Sequence, residues 1–232
     1  MKQRRVLCAG FVALGLSLGG GLLWAADHAE SPGPTGDPAA DIADVYLFRA
    51  SSTRLVAAMS FGNRPLPLTR IDQSFYCDPK VLYTFNFDTN GDIATVERSV
   101  HARLGLNGEG ACGLRLENVP GAAGAYSGAT ETVFTSPEGL RAFAGHLDDP
   151  FFFDFPGFIA TLATFGDSSA PDATLEFATV KAVPPFSKGR DGFDGRNASL
   201  IVFEMDLDAI APASGGSRPT IRFWGTTARL VE

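Results

Sequence analysis

The chain is poor in the motifs that identify the most common enzyme classes. Its 232 residues include only three cysteines and three histidines. Downstream of residue 25 there is no G-x-S-x-G nucleophile motif, no H-E-x-x-H zinc motif and no C-x-x-C redox motif. These absences argue against the corresponding hydrolases, zinc proteases and thiol oxidoreductases. Two tryptophans and four tyrosines are also a sparse supply of rings for stacking on sugars.

The N-terminus, by contrast, has the layout of a secretory signal peptide. Met1–Arg5 is basic, and Val6–Trp24 is apolar or small and carries no charge. Cleavage is expected after Ala25 or the residue that follows it. An uncleaved membrane anchor is the alternative, but three consecutive glycines weaken the helix it needs. We therefore expect a leader at 1–25, a single domain at 26–232, a periplasmic or extracellular location, and no membrane insertion after cleavage.

Loss of the leader makes the chain more acidic. The full chain has a formal net charge of −7, and removing three basic leader residues leaves 16 basic and 26 acidic residues, a net charge of −10. This balance argues against nucleic acid and anionic lipid as partners, and it is compatible with cations. Two cysteines remain, Cys77 and Cys112. An isolated pair in an oxidising compartment predicts a disulfide.

Apolar and polar residues alternate along several short segments separated by glycine and proline, which is typical of β-strands. The pattern predicts a mainly β fold, a single-domain antiparallel β-sandwich with a jelly-roll-like arrangement and one or two short helices. Hairpins are expected at Arg49–Arg54 and Asp88–Asp92, a helix at Ser136–Gly145, and a glycine-rich loop at Glu109–Gly128. Further strands are expected at 175–180, 199–205 and 220–230.

Five blocks follow one another along the chain: an opening formed by Asp27–Pro32 and Asp37–Phe48, and then Val81–Asp92, Asp148–Asp154, Asp191–Asn197 and Phe223–Thr227. Together they resemble the DUF4331 family, whose function is not established. The first part of the opening resembles the family's S-S-H-R-E-A-P start, with Ala29 where the family usually has Arg, and the second part resembles its D-P-x-A-D-x-T-D-V-Y-x-F motif. The chain is shorter than typical members. The resemblance implies an architecture and candidate positions but no reaction.

The most informative segment is Gly145–Asp154, in which three aspartates and a histidine adjoin three consecutive phenylalanines. Ionised aspartates near an apolar cluster need hydrogen bonds, counter-ions or a cation. A divalent-cation site is predicted, with calcium as the leading ion, from Asp148, Asp149, Asp154, Asp191, Asp194 and Asn197. The alternatives are helix caps and turns, or a salt-bridge network with Arg190 and Arg196.

Two other segments have metal-like patterns. Asp88, Asn90 and Asp92 are spaced like the start of a calcium loop, but the later calcium-loop positions hold Ile93 and Ser99, so a hairpin turn is the preferred interpretation. If the mature chain begins at residue 26, His28 is its third residue. A third-position histidine can bind Cu(II) or Ni(II) with the N-terminal amine and two amide nitrogens.

These observations predict an exported binding protein of unknown biochemical role that holds a divalent cation through the aspartate cluster. One alternative is a metal- or carboxylate-dependent hydrolase that uses the same acids. The other is a structural protein of the envelope or matrix without a small ligand. The catalytic residues of a hydrolase are not identified, and the small ligand or envelope component that would be the partner is not specified.

Overall fold

The computed structural model describes residues 37–62, 75–154, 157, 189–191, 193–195 and 197–230. Ten strands are found in these ranges: β1 (Ile42–Arg49), β2 (Arg54–Phe61), β3 (Val81–Asp88), β4 (Arg98–Leu106), β5 (Cys112–Glu117), β6 (Tyr126–Ala129), β7 (Phe134–Thr135), β8 (Arg141–Asp148), β9 (Asn197–Asp206) and β10 (Arg222–Arg229). Two short helices accompany them, a 3-10 helix at Pro38–Ala40 and α1 at Leu207–Ile210.

The strands form two five-stranded antiparallel sheets that pack as a β-sandwich. Sheet A has the order β1-β2-β9-β8-β7, and sheet B has the order β10-β3-β4-β5-β6. At their edges, β1 contacts β10 and β6 contacts β7. The predicted sandwich with short helices is confirmed. Consecutive strands are joined mainly by hairpins within one sheet, and the chain passes between the sheets from β2 to β3, from β6 to β7 and from β9 to β10.

The core lies between the sheets and follows the two-residue period of a strand. Tyr83, Phe85 and Phe87 on β3 are fully buried, and Phe203 on β9 meets Phe85 edge to face at 4.9 Å between ring centroids. The residues that the alternation predicts in the core are Val45, Leu47, Leu82 or Tyr83, Phe85, Ile201, Phe203 and Phe223. The structure buries or half-buries them against this cluster, and of the alternative pair it is Tyr83 that belongs to the cluster.

The hairpin predicted at Arg49–Arg54 is confirmed, and the one predicted at Asp88–Asp92 forms with a longer connection, because β4 begins only at Arg98. One predicted helix is wrong. The β1–β2 hairpin pairs Arg49 with Leu55, and β3 pairs with β4. The segment Ser136–Gly145 is a turn followed by β8. The Ser136 hydroxyl accepts hydrogen bonds from the Glu138 and Leu140 N–H groups, and Gly139 has a φ of +84°. Pairing with β9 then extends the chain, so a tertiary contact overrides the local helix signal.

The predicted loop at 109–128 is also wrong, because it contains β5 and the beginning of β6. The expected strands at 199–205 and 220–230 correspond to β9 and β10. The strand expected at 175–180 lies outside the described residues. No helix in the described ranges is long and apolar enough to cross a membrane.

The predicted disulfide between Cys77 and Cys112 is confirmed. It joins the segment before β3 to the first residue of β5, with 6.2 Å between the two Cα atoms. The bridge therefore closes one end of sheet B around the β3–β4 hairpin.

Candidate functional site

The two acidic motifs lie together at one end of sheet A, where β8 ends and β9 begins. The antiparallel register places Asp148 opposite Asn197. Asp148 Oδ1 accepts a hydrogen bond from the Gly195 N–H at 3.0 Å. Asp191 Oδ1 accepts one from the Phe153 N–H at 3.4 Å. Each motif therefore supplies a carboxylate to the backbone of the other.

The carboxylates of these motifs hold backbone and arginine N–H groups. The Asp154 carboxyl is only 2% exposed; it accepts from the Gly157 N–H at 2.9 Å and from the Arg190 guanidinium at 2.8 Å. The Phe151 N–H donates to the buried Asp149 at 3.0 Å. Such bonds offset the cost of removing a carboxylate from water. This arrangement agrees with the Arg190 part of the alternative salt-bridge network, whereas Arg196, the other arginine of that network, lies outside the described residues.

The three phenylalanines do not share one environment. Phe151 and Phe153 stack with their ring centroids 5.6 Å apart, and Phe151 meets Phe193 edge to face at 5.2 Å. Phe152 is 55% exposed. The aromatic cluster thus joins the first acidic motif to the second. Tyr46 on β1 lies nearby: burial raises the pKa of its phenol, and the carboxylates of Asp44 and Asp149 raise that pKa further.

The described residues contain no group of three or more histidine, cysteine, aspartate or glutamate side chains arranged to hold a metal ion. Asp194 follows Asp191 in a turn, where its N–H donates to the Asp191 carbonyl at 3.4 Å. His28, the candidate Cu(II) or Ni(II) ligand, lies outside the described residues. Calcium binding by the aspartate cluster therefore stays a prediction.

The Asp88–Asp92 segment is a hairpin turn. Asp88 Oδ1 accepts from the Asn90 and Gly91 N–H groups, both at 2.8 Å, and Gly91 has a φ of +90°. The other Asp88 oxygen pairs with Arg222 at 3.0 Å. Burial alone would raise the pKa of Asp88, but the Gly91 and Asn90 N–H groups and the guanidinium lower it below its ordinary value. The aspartate thus serves the turn.

A second surface, which the sequence did not single out, is the outer face of sheet B. Its side chains come from alternate residues of each strand, on the face opposite the core. Thr84 hydrogen-bonds His101 at 3.3 Å, and Asn86 hydrogen-bonds both Ser99 at 2.8 Å and Thr226 at 3.3 Å. Cross-strand bonds of this kind order the polar face.

Two adjacent cross-strand rows on this face have contrasting chemistry. The arginine row consists of Arg103, Arg115 and Ser127, in register on β4, β5 and β6. The glycine row consists of Gly105, Gly113 and Ala129 on the same strands. These rows line a depression of about 500 Å³.

The β4–β5 turn sets this register. Asn107 Oδ1 accepts from the Glu109 and Ala111 N–H groups at 3.0 and 2.8 Å, and Gly110 has a φ of +80°. The turn brings Leu106 opposite Cys112, and every later pair follows from that one. Alternation alone places Arg103 on the solvent face. That Arg115 lies opposite Arg103 could have been predicted only by treating residues 107–111 as a hairpin turn.

The charges of the arginine row are only partly balanced. Arg115 donates to Glu117 at 2.7 Å, and this bond lowers the pKa of Glu117, with Arg103 and His101 adding to the effect. Arg103 makes no ion pair with any residue in the described part of the chain. Its guanidinium and the small-residue row beside it face solvent together.

Comparisons with known proteins found no matching family model, no matching curated protein and no matching solved structure. The resemblance to DUF4331 therefore stays an expectation from the sequence.

Proposed function

We propose that the protein is an exported binding protein that takes an anionic ligand on the outer face of sheet B. The observation that carries this proposal is the direct opposition of Arg103 and Arg115 in the β4–β5 register. Like charges directly opposite each other destabilise a sheet, and one glutamate offsets only part of two arginines. A bound anion is the partner that would complete the charge balance of the arginine row.

Export is supported by the leader-like N-terminus and by the disulfide, which suits an oxidising compartment. A net charge of −10 after leader removal opposes densely charged polyanions at long range. Charges farther apart than about 8 Å are largely screened at physiological salt, however. A ligand at the outer face is therefore affected more by the nearby arginine row than by the net charge of the protein. A ligand with sparse negative charge fits both conditions.

The divalent-cation hypothesis has one observation in its favour, the convergence of the two acidic motifs at the β8–β9 junction. If a cation is bound there, the protein holds it beside the Arg190–Asp154 pair. The chelator experiment in the Discussion separates this possibility from a network that needs no ion.

Calorimetric titration of the mature protein with sulfate and citrate at low ionic strength tests the proposal. We expect Arg103→Ala to weaken binding at least tenfold. Arg49→Ala is the matched control, because it removes an equal charge from an exposed position at the end of β1 on sheet A. Equal weakening by both variants would indicate non-specific charge effects. Absence of binding to either anion would contradict the proposal and favour a structural protein without a ligand.

A further inference from the structure

We infer that the ligand is an acidic polysaccharide built from uronic acids, with a sugar carboxylate on the arginine row and its ring on the glycine row. This inference rests on the proposed function and specifies its ligand class. It depends on the shape of the glycine row and on the spacing and hydrogen-bonding groups of the surrounding face.

At Gly105 the glycine row leaves room that the fold itself does not require, whereas a Cβ atom at Gly113 would lie 3.2 Å from the Gly128 carbonyl oxygen. A Cβ atom added at Gly105 would meet no heavy atom within 4 Å, and Gly105 does not have a positive φ. Neither packing nor backbone conformation therefore explains why this strand position lacks a side chain. Glycine within a strand often marks a site that another group approaches closely. The depression of about 500 Å³ lies within the usual range of small-ligand sites, about 300–1,000 Å³.

The arginine row matches a carboxylate in geometry as well as charge. A guanidinium can donate two parallel N–H bonds to a carboxylate, which fixes orientation as well as adding energy. Arg115 already holds Glu117 at 2.7 Å in such a charge-assisted bond, while Arg103 has no ion pair in the described part of the chain. Ser127, opposite Arg115, adds a hydroxyl of the kind that sugar hydroxyls bond.

The outer face continues from these rows to a tryptophan on β10. Trp224 is opposite Asn86 on β3, and Asn86 is opposite Ser99 on β4. Two strand spacings of about 4.8 Å and four residues of about 3.4 Å place Trp224 roughly 16 Å from Arg103 along the face. Trp224 is half-buried and shares the parity of the outer face. A chain of several sugar rings could span both anchors, with one ring against the indole.

Charge density distinguishes a polyuronate from nucleic acid. Double-stranded DNA carries one charge per about 1.7 Å of its axis, which an acidic protein repels. A polyuronate has one carboxylate per sugar ring, together with hydroxyls and apolar ring faces. The outer face offers exposed hydroxyls such as those of Ser127 and Thr226, which suit sugar hydroxyls, and only two arginines in the row. A neutral polysaccharide would leave Arg103 without an ion pair in the described part of the chain.

The decisive variant is Gly105→Val, which places a side chain in the depression and keeps every charge. A β-branched residue suits a strand, and the added Cβ meets open space, so the fold should be retained. In calorimetric titrations of the mature protein with hexagalacturonate, we expect at least a tenfold loss of affinity in Gly105→Val and in Arg103→Ala. Gly124→Val is the matched control, because a Cβ there also meets open space and Gly124 does not line the depression. Trp224→Ala should weaken the binding of hexagalacturonate and leave the binding of the single sugar, galacturonate, unchanged.

The other outcomes are distinguishable. If sulfate or citrate binds in an Arg103-dependent way and hexagalacturonate does not, the polysaccharide inference is overturned and the proposed function stands. If a neutral galactose oligomer binds as tightly as hexagalacturonate, the carboxylate contact is refuted. If Gly105→Val binds normally while its melting temperature is unchanged, the ring does not lie on the glycine row. If no anion binds at all, both proposals fall.

Discussion

At the residue scale, Asp154 shows which groups surround a carboxylate that lies beside a phenylalanine run. Its side chain is 2% exposed, and its described partners are the Gly157 N–H and the Arg190 guanidinium. A buried carboxylate with charge-assisted hydrogen bonds to both oxygens has its desolvation largely offset. The cation and network interpretations therefore differ in the role of Arg190, which is the counter-ion of Asp154 in the network interpretation.

We expect Arg190→Ala to lower the free energy of unfolding by about 1–2 kcal/mol, since it leaves the Asp154 carboxylate with one fewer partner. The expected loss in the free energy of unfolding is small because Arg190 is 47% exposed and water screens its ion pair with Asp154. Asp154→Asn in the same background should recover part of the loss. Urea denaturation measures both effects, and Arg49→Ala serves as the surface control.

A chelator separates the network from the cation. If backbone N–H groups and Arg190 satisfy the acidic motifs, excess EDTA should leave the wild-type melting temperature unchanged. A lower melting temperature in EDTA that calcium restores, with one ion per chain by elemental analysis, would instead establish the divalent-cation site and refute the network as a sufficient explanation.

At the element scale, strand pairing decides several conformations that local signals leave open. Ser136, Pro137 and Glu138 have the order of a helix start, yet the segment that follows them is β8. Ala142 and Ala144 face the core opposite Phe203 and Ile201 on β9, where small side chains leave room for the larger ones. Burial of this strand outweighs an isolated helix of such length, which is marginal in water.

The β3–β4 hairpin has a pH dependence that follows from Asp88. Its folded-state pKa is lowered, so its contribution to stability is complete above the unfolded-state value of about 3.9 and is lost as the pH falls through the folded-state pKa. We expect Asp88→Asn to reduce the melting temperature by more than about 4 °C near neutral pH. The gap between variant and wild type should narrow below about pH 4.

Thermal melts across that pH range measure the effect. Asp92→Asn is the control: Asp92 lies in the same turn, is exposed, and makes no ion pair with any residue in the described ranges. A gap for Asp88→Asn that stays constant as the pH falls would show that ionisation of Asp88 does not contribute.

At the scale of the whole molecule, the disulfide limits the unfolded chain more than it shapes the folded one. Cys77 and Cys112 are 35 residues apart, and a loop of that length corresponds to about 3–4 kcal/mol on the chain-entropy model. The double variant Cys77→Ala, Cys112→Ala should lose about that much in urea denaturation. Mass spectrometry without reduction should find the linked peptides in the wild type. Two thiols that alkylate freely in the native protein would contradict the bridge.

Much of the architecture could be predicted from the sequence because it depends on local periodicity. Alternation along 81–87 predicts which side chains of β3 face the core, and Tyr83 and Phe85 are indeed fully buried. The disulfide could be predicted because only two cysteines follow the leader. Alternation from Ile93 onward predicts that β4 begins earlier than Arg98, because the pattern does not reveal that Glu97 accepts a hydrogen bond from the Thr89 N–H.

By itself, the sequence determined the class of fold, the hairpin at Asp88 and the pairing of the cysteines, because each follows from periodicity, turn chemistry or simple counting. Only the tertiary structure decided which side chains became neighbours across strands. The opposition of Arg103 to Arg115, and of Gly105 to Gly113, depends on the β4–β5 register. Moving one strand by a single residue would place these side chains on the other face of the sheet.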